Sequence, residues 1–155
     1  RMRELICEFR TRMDPQGLVQ ALRQVAEQLG SVAGLQVEVI DEAGALELSA
    51  EQELQVFHIA REALANVAKH AGARHAALHL LREHGLVHLR VDDDGVGLPQ
   101  DQTGHGDRQD HFGLDLMRER ARLIGGRIEL LRRSGRGTSL RLQFPELPGT
   151  ATHHG

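Results

Sequence analysis

A polar stripe along one predicted helix, followed one strand later by a glycine-containing turn, is the feature that most constrains this chain. Residues 61–70 read Arg-Glu-Ala-Leu-Ala-Asn-Val-Ala-Lys-His. Glu62, Asn66, Lys69 and His70 stand at i, i+4, i+7 and i+8, so a helix places them along one side. A second, apolar stripe consists of Phe57, Ala60, Leu64, Val67 and Ala71. The pattern predicts a helix that buries one face and presents a carboxylate, an amide and a cation on another.

The polar groups on this helix suit a magnesium-bound triphosphate. Mg²⁺ takes hard oxygen ligands and keeps several waters and phosphate oxygens, and Glu62 and Asn66 offer the protein oxygens. Lys69 offers a positive point charge to phosphate. Since the chain has no P-loop sequence, this would be a nucleotide site of another kind. A solvated helix face without a ligand is the alternative interpretation.

The strand that follows ends in a carboxylate aimed at the interior. Residues 86–93 alternate in polarity, so that Asp93 falls on the same face as the apolar residues of this strand. A buried carboxylate is costly unless it has partners, and the amino group of adenine is a suitable donor. Gly95 and Gly97 then free the backbone to turn sharply and to lie close to a ligand. An ordinary Asp-Gly turn is the alternative.

These residues resemble motifs of a known family. Glu-x-x-x-Asn-x-x-Lys-His over 62–70 resembles the N box of the ATP-binding domain of bacterial sensor histidine kinases, and Asp-Asp-Gly-Val-Gly over 93–97 resembles its first glycine box. His-Phe-Gly-Leu-Asp-Leu-Met-Arg-Glu-Arg-Ala over 111–121 resembles the second glycine box, and Gly-Arg-Gly-Thr over 135–138 the last. The resemblance covers most of residues 3–145. The Met-Arg-Glu-Arg-Ala continuation points to the subgroup of nitrate/nitrite sensors of the NarX and NarQ kind.

The resemblance implies a role for each matching residue. Asp93 would accept a hydrogen bond from the adenine amino group with support from Thr138, and Asn66 would coordinate Mg²⁺. Lys69 would contact phosphate, while Glu62 would polarise water or support the metal, so Glu62 and Asn66 are the catalytic and metal-binding candidates. The implied nucleotide-binding residues are Asn66, Lys69, His70, Asp93, Gly95, Gly97, Gly113, Leu114 and Thr138. ATP and Mg²⁺ are the implied cofactors.

The second glycine box carries the largest departure from the family pattern. The position two residues before Gly113 is usually glycine and is His111 here. Asp94 stands where the family often has asparagine. We expect a helix that starts at Gly113 to direct backbone amides toward phosphate. Arg118 or Arg120 would either reach phosphate or lie in solvent.

The predicted elements give an α/β fold, a two-layer sandwich with a mixed sheet of about five strands and helices packed on one face. The predicted strands are 35–41, 74–82, 86–93, 127–132 and 138–144. Three helices are predicted. Asp14 and Pro15 begin the first and Gly30 ends it, and the second runs from the capping box Ser49-Ala50-Glu51-Gln52 to near Gly72. The third runs from about Gly113 to Ile124 and is stopped by Gly125 and Gly126. The resemblance implies the same arrangement, known as the Bergerat or GHKL ATP-binding fold.

We expect one domain over residues 14–145, since the length suits a single core. Residues 1–13 look like a connector from an upstream dimerisation module, and residues 146–155 look like a flexible tail. Residues 98–112 have almost no apolar content and resemble an ATP lid, the alternative being an ordinary surface loop. The chain begins within helical-looking sequence, so we interpret it as a fragment of a longer parent.

Composition argues against several other classes of protein. With a net charge of −3 and Phe as its only large aromatic residue, the chain has neither a basic field nor many stacking platforms for nucleic acid. Cys7 is the only cysteine, which excludes an internal disulfide framework and fits a reducing cytosol. No apolar run approaches the roughly 18 residues of a membrane span. We therefore expect a cytoplasmic domain without direct membrane contact. The resemblance implies that its parent lies in the bacterial inner membrane.

The ten histidines raise two further possibilities. His75, His79 and His88 would share one sheet face by strand parity, but nothing completes a recognisable zinc pattern. A phosphoacceptor histidine of the resembled family is followed by an acidic residue on a dimerisation helix. His58 is followed by Ile59 within the ATP-site helix, so the nucleophile is expected on another segment.

The predicted function is that of the catalytic domain of a two-component sensor histidine kinase. Such a domain binds Mg-ATP and donates the γ-phosphate to a histidine on the dimerisation and phosphotransfer domain of its parent chain, for relay to a response regulator. The subgroup resemblance adds nitrate/nitrite sensing. Two alternatives remain, a related GHKL ATPase module such as a chaperone or DNA-repair clamp, and a non-catalytic nucleotide-binding module.

Overall fold

The computed structural model describes residues 17–70, 72–95, 108–133 and 137–146. The elements along these ranges are α1 (Gly17–Ala33), β1 (Gln36–Asp41), α2 (Ala50–His70), β2 (His75–Glu83), β3 (Leu86–Asp93), α3 (Arg108–Leu123), β4 (Arg127–Arg132) and β5 (Thr138–Pro145). Each of these strands lies within one residue of its predicted bounds.

The strands form one mixed sheet in the order β1-β2-β3-β5-β4. β1 and β2 are parallel, and the other neighbouring strands are antiparallel. The registers align Leu80, Leu89 and Leu142 across three neighbouring strands, and all three side chains are buried under the helices. The predicted two-layer α/β sandwich with a mixed sheet is confirmed.

The described helices pack on one face of the sheet, and the other face is wetter. Between the buried residues, His79, Arg90 and Arg141 align across β2, β3 and β5, and each is partly or fully exposed. The strand registers also place His75 and His88 on this face, as parity predicts. Within the described ranges, no group of three His, Cys, Asp or Glu residues is arranged to hold a metal ion.

Helix α2 lies in the middle of the helical layer and contacts both α1 and α3. Ala60 and Leu64 of the predicted apolar stripe are fully buried, as are the neighbouring Val56 and Ile59, whereas Phe57 is partly exposed. Burying one large aliphatic side chain stabilises a fold by about 1.5–3 kcal/mol. This apolar face fixes the rotation of α2 on the sheet and so determines where its polar stripe lies.

The predicted capping box opens α2. The hydroxyl of Ser49 accepts a hydrogen bond from the Gln52 backbone N–H at 3.1 Å, and the Gln52 side-chain oxygen accepts one from the Ser49 N–H at 2.9 Å. The buried Gln52 amide also donates to the Pro145 carbonyl at 2.8 Å. The cap therefore ties the start of α2 to the end of β5.

The prediction that Gly30 ends the first helix is wrong. α1 continues to Ala33, and Gly34, with a φ of +69°, follows it. The Gly30 carbonyl accepts a hydrogen bond from the Leu35 N–H at 3.0 Å, and a Cβ on Gly30 would lie 2.5 Å from the Leu35 carbonyl oxygen. Gly30 therefore permits a close approach of β1 to α1. In the local sequence, a glycine needed for such a contact looks the same as a glycine that ends a helix.

The prediction that the later helix begins near Gly113 is also wrong. α3 begins at Arg108, so residues 108–112 of the predicted lid belong to this helix. Residues 108–111 are all polar. Because hydrophobic periodicity locates a helix only where it has an apolar face, the sequence pattern shows the helix from Gly113 onward.

The predicted stop of this helix is confirmed. Gly125 has a φ of +71° and donates its N–H to the Arg122 carbonyl at 3.0 Å. Gly126 donates to the Ala121 carbonyl at 2.8 Å. These two bonds form a Schellman motif, which requires a residue that tolerates positive φ at its first position past the helix.

Several predicted features lie outside the described residues. These are the connector 1–13 with Cys7, the cap formed by Asp14 and Pro15, lid residues 98–107, and the tail from residue 147 onward. Among the helices that the structure describes, none combines the length and the apolar character needed to cross a membrane.

Candidate nucleotide-binding site

Asp93 ends β3 with its side chain on the buried face of the sheet, as predicted. The residue is only 4% exposed. Its Oδ1 accepts a hydrogen bond from the Gly95 backbone N–H at 2.9 Å, and the Thr138 backbone N–H is a second donor to the carboxylate. Burial raises the pKa of the Asp93 carboxyl above its ordinary value, and these two hydrogen bonds oppose that rise. The backbone therefore holds a carboxylate that retains capacity to accept a ligand hydrogen bond.

Gly137 allows β5 to approach the end of β3. It has a φ of +102°, and a Cβ at this position would lie 1.9 Å from the carbonyl oxygen of Asp93. A side chain would force the two segments apart. The glycine therefore brings the Thr138 N–H within reach of the Asp93 carboxylate.

Asp94 holds the start of β2 next to this site. Its Oδ1 accepts hydrogen bonds from the backbone N–H groups of Arg74 and His75, at 2.9 and 3.0 Å. Its Oδ2 lies 3.0 Å from Nδ1 of His75. The hydrogen bonds from His75 are the main cause that lowers the pKa of Asp94 to about 2. Asp94 thus has a structural role, whereas Asp93 faces the interior.

The polar stripe on α2 is less constrained than Asp93. Glu62 and Asn66 are half-buried and Lys69 is exposed. None of the three side chains makes a hydrogen bond or ion pair with another described residue. Asn66 and Lys69 follow Glu62 toward the end of α2, and the chain then enters β2 at the residue that Asp94 holds. The stripe therefore runs toward the same end of the sheet as Asp93.

Gly113 lies against this stripe. A Cβ at Gly113 would lie 3.3 Å from Oε2 of Glu62. Because α3 begins at Arg108, the Gly113 N–H is inside the helix, and the free amide groups belong to its first turn. The predicted helix start at Gly113 is therefore not available to phosphate, and Leu114 packs against the core. Whether Gly113 and Leu114 bind nucleotide stays a prediction.

The two arginines considered for phosphate differ in their surroundings. Nη1 of Arg120 donates to Oε1 of Gln55 at 3.1 Å, which joins α3 to α2. Arg118 is exposed. His58 is half-buried, and burial together with the charges of Arg120 and Arg61 lowers its pKa.

The fold and the site agree with a family of ATPases. Residues 51–148 match the family described as histidine kinase-, DNA gyrase B-, and HSP90-like ATPase. The chain belongs to this family. The matched range contains the α2 stripe and the Asp93 site, and the prediction of ATP is confirmed at the level of the family.

Individual relatives of this ATPase domain support the same conclusion. The chain is 30% identical over 148 residues to the nitrate/nitrite sensor protein NarQ of Escherichia coli (strain K12), which is 96% of this chain and 26% of NarQ. It spans about a quarter of the curated relatives that it matches.

Two solved structures share its fold. The histidine kinase domain of the Erythrobacter litoralis EL346 blue-light activated histidine kinase has a TM-score of 0.68 at 22% identity, over 83% of this chain and 61% of that one. The ATP binding domain of PrrB from Mycobacterium tuberculosis has a TM-score of 0.62 at 28% identity, over 83% of this chain and 93% of that one. The predicted resemblance to the ATP-binding domains of sensor histidine kinases is confirmed.

The donor set on α2 of this ATPase domain fits Mg²⁺ that arrives with a nucleotide. The Glu62 carboxylate and the Asn66 amide oxygen stand one helical turn apart, without partners among the described residues. Two protein oxygens leave room for the waters and phosphate oxygens that Mg²⁺ retains.

Sequence reasoning missed one residue of the site, Arg133. Arg133 follows the last residue of β4, and its Nη1 donates to the backbone carbonyl of Asp93 at 2.9 Å. Arg133 lies before the last glycine box and belongs to no motif. Its role follows only from the pairing of distant strands.

Some predicted positions cannot be placed. Gly97 and residues 135 and 136 of the last glycine box lie outside the described residues, as do the side chains of His70 and His111. The predicted roles of Gly97 and His70 stay predictions.

Proposed function

We propose that this chain is the catalytic ATP-binding domain of a two-component sensor histidine kinase. It binds Mg-ATP and donates the γ-phosphate to a histidine on the dimerisation and phosphotransfer domain of its parent, for relay to a response regulator. One observation carries the proposal. It is the buried Asp93 carboxylate, held by the Gly95 and Thr138 amides at the end of the sheet toward which the polar stripe of α2 runs.

Asp93 recognises the base in this proposal. The two backbone amides fix the carboxylate, and the amino group of adenine donates to its remaining acceptor capacity. Guanine has a carbonyl at the corresponding position and would leave a buried acceptor facing another acceptor. An unpaired buried polar group costs about 1–3 kcal/mol. The site therefore favours adenine over guanine.

The polar stripe of α2 binds the phosphates. Lys69 places a positive charge beside them, and Asn66 and Glu62 hold Mg²⁺. The metal supplies neutralisation of the charge on the β- and γ-phosphates. Glu62 is also the carboxylate available to accept the proton of the attacking imidazole.

The reaction transfers one phosphoryl group between two held partners. The bond from the γ-phosphorus to the bridging oxygen breaks as a bond to an imidazole nitrogen forms, and ADP leaves. Such a transfer depends mostly on positioning and on charge stabilisation. The domain therefore positions ATP, and the phosphotransfer domain of the parent positions the nucleophile.

The similarity to NarQ supports nitrate or nitrite as the signal of the parent protein. We assign the sensing of that signal and the anchor in the inner membrane to other parts of the parent. Nitrate added to the whole parent in lipid vesicles is expected to change its rate of autophosphorylation, whereas chloride at the same concentration leaves it unchanged. An equal response to both anions would refute nitrate specificity.

Transfer from γ-labelled ATP tests the kinase proposal. The purified chain is mixed with the dimerisation domain of its parent, with and without Mg²⁺. We expect a Mg²⁺-dependent, acid-labile label on the acceptor, which disappears when the acceptor histidine is replaced by glutamine. Steady release of inorganic phosphate with an unlabelled acceptor would identify a hydrolytic ATPase module instead.

A further inference from the structure

The antiparallel ladder between β3 and β5 ends just before the nucleotide-binding site. Its last pair joins Asp92 and Ser139. One position further, the Thr138 N–H bonds to the Asp93 carboxylate instead of continuing the ladder to a backbone carbonyl. The Asp93 carbonyl faces β5 and therefore needs another donor, because backbone carbonyls in the protein interior are almost always paired.

Arg133 supplies that donor. Its Nη1 lies 2.9 Å from the Asp93 carbonyl oxygen. The Arg133 backbone is also held, because its N–H donates to the Gly137 carbonyl at 3.1 Å. Asp93 is thus held at both ends, the carboxylate by Gly95 and Thr138 and the carbonyl by Arg133.

We propose that Arg133 is a positioning residue for base recognition, which fixes the direction in which the Asp93 carboxylate meets the amino group of a purine. This inference rests on the proposed function and deepens it, since it concerns the adenine end of the same site. Arg133 acts through Asp93 and needs no contact with the nucleotide.

The charge of Arg133 acts in the same sense as its hydrogen bond. Burial raises the pKa of Asp93, and the neighbouring Asp94, which is itself paired with His75, raises it further. The Arg133 guanidinium lowers it. A protonated Asp93 is a weaker acceptor for the adenine amino group. Removal of Arg133 should therefore raise the pKa of Asp93 and weaken adenine binding at a higher pH than in the wild type.

Titration with ADP and IDP tests the positioning role. The two ligands carry the same diphosphate, but IDP has a carbonyl where ADP has the amino group. Arg133→Ala is expected to lower the ratio of ADP affinity to IDP affinity about tenfold. Arg127→Ala removes the same charge at the exposed start of β4 and should leave the ratio unchanged. Arg133→Lys keeps the charge but not the planar guanidinium, so it should restore only part of the ratio.

An equal loss of ADP and IDP affinity in Arg133→Ala would overturn the proposal, because it would show that Arg133 acts on the shared diphosphate and not on base recognition by Asp93. A second readout needs no nucleotide. The pKa of Asp93, followed by NMR in the free protein, should rise in Arg133→Ala and stay unchanged in Arg127→Ala, and an unchanged value in both would also overturn it.

The same titrations separate the positioning role from the proposed function. If the folded wild-type chain binds neither ligand, the proposed function fails, and the positioning role fails with it. If the chain binds ADP through Asp93 but Arg133→Ala keeps the wild-type ratio, only the positioning role fails.

Discussion

The two parts of the candidate site are built in different ways. At the base end, Asp93 is 4% exposed and is held by backbone amides and by Arg133. On the phosphate side, Glu62, Asn66 and Lys69 stand on a half-exposed helix face and bond to no other described residue. In the proposed site the base end is therefore organised by the fold, whereas the phosphate side would be completed by the charges of the ligand.

This difference separates affinity from catalysis. Changes at the base end should alter nucleotide discrimination and, where the backbone is involved, stability. Changes on the α2 stripe should leave the fold intact and alter the chemical step, since charges that no described side chain neutralises are available to the reacting phosphate.

The largest expected effect is on the chemical step. Glu62→Gln removes the carboxylate that we assign to the metal and the attacking imidazole, and we expect phosphotransfer to fall by about 10²–10⁴-fold. ADP affinity without Mg²⁺ should stay within about threefold of wild type, because the base end is unchanged. Phosphotransfer from γ-labelled ATP and calorimetry measure the two quantities.

Glu27→Gln is the matched control for Glu62→Gln. It removes the same charge from an exposed position on α1. Phosphotransfer should be that of the wild type. If Glu62→Gln also transferred phosphate at the wild-type rate, the division of roles between the two parts of the site would be wrong.

The next effect concerns the backbone at the base end. Gly137→Ala places a Cβ 1.9 Å from the Asp93 carbonyl oxygen at a φ of +102°. We expect a loss of more than about 4 kcal/mol in the free energy of unfolding, and loss of ADP binding in any folded fraction. Chemical denaturation followed by circular dichroism measures the first quantity.

Gly85→Ala separates the steric overlap of a Cβ with the Asp93 carbonyl from the cost of a positive φ. Gly85 has a φ of +78°, and no atom lies within 4 Å of a Cβ there. This variant should lose only about 1–2 kcal/mol, the cost of a left-handed alanine. Equal losses in the two glycine variants would mean that the close approach of β5 to Asp93 is not what requires glycine at 137.

The smallest expected effect is at Asp94, although it directly follows Asp93 in the chain. In Asp94→Asn the side-chain oxygen can still accept the backbone hydrogen bonds of Arg74 and His75. ADP affinity should therefore stay within about threefold of wild type. A loss as large as that of Asp93→Asn would remove the distinction between a structural Asp94 and a base-binding Asp93.

Stability of the Asp94 variant should depend on pH. The pKa of Asp94 falls from 3.8 to about 2 in the folded protein. A lowered carboxyl pKa contributes stability above the unfolded value, and this contribution is lost as pH falls through the folded value. The difference in unfolding temperature between wild type and Asp94→Asn should be present at about pH 5, shrink as pH falls, and vanish only below about pH 2.

Sequence patterns predicted those parts of the molecule that depend on local order. Strand parity placed Asp93 on the buried face, and the Ser49 capping box and the Gly125 stop depend on neighbours in sequence. The order of the predicted strands and helices and the family resemblance both predicted the fold. These predictions succeeded because each depends on a few consecutive residues or on motifs with fixed spacing.

The two wrong helix bounds and the missed residue have two causes. Some depend on contacts between segments distant in sequence, and one arises because a helical turn has no apolar residues. Gly30 allows β1 to lie close to α1, although a glycine late in a helical pattern usually marks the end of the helix. The first turn of α3 is polar and therefore has no hydrophobic period. Arg133 bonds to a carbonyl in another strand. No local sequence pattern encodes a hydrogen bond between a side chain and a carbonyl so far apart in the chain.

The most direct test of the account is a calorimetric titration with ADP on the wild type, Asp93→Asn and Asp92→Asn. Asp92 carries the same charge one residue away, but faces the other side of the sheet, where it pairs with Arg90 at 3.0 Å. We predict that Asp93→Asn loses at least about tenfold in affinity and that Asp92→Asn stays within about threefold of wild type. Equal affinity in all three proteins would contradict the assignment of Asp93 to the base.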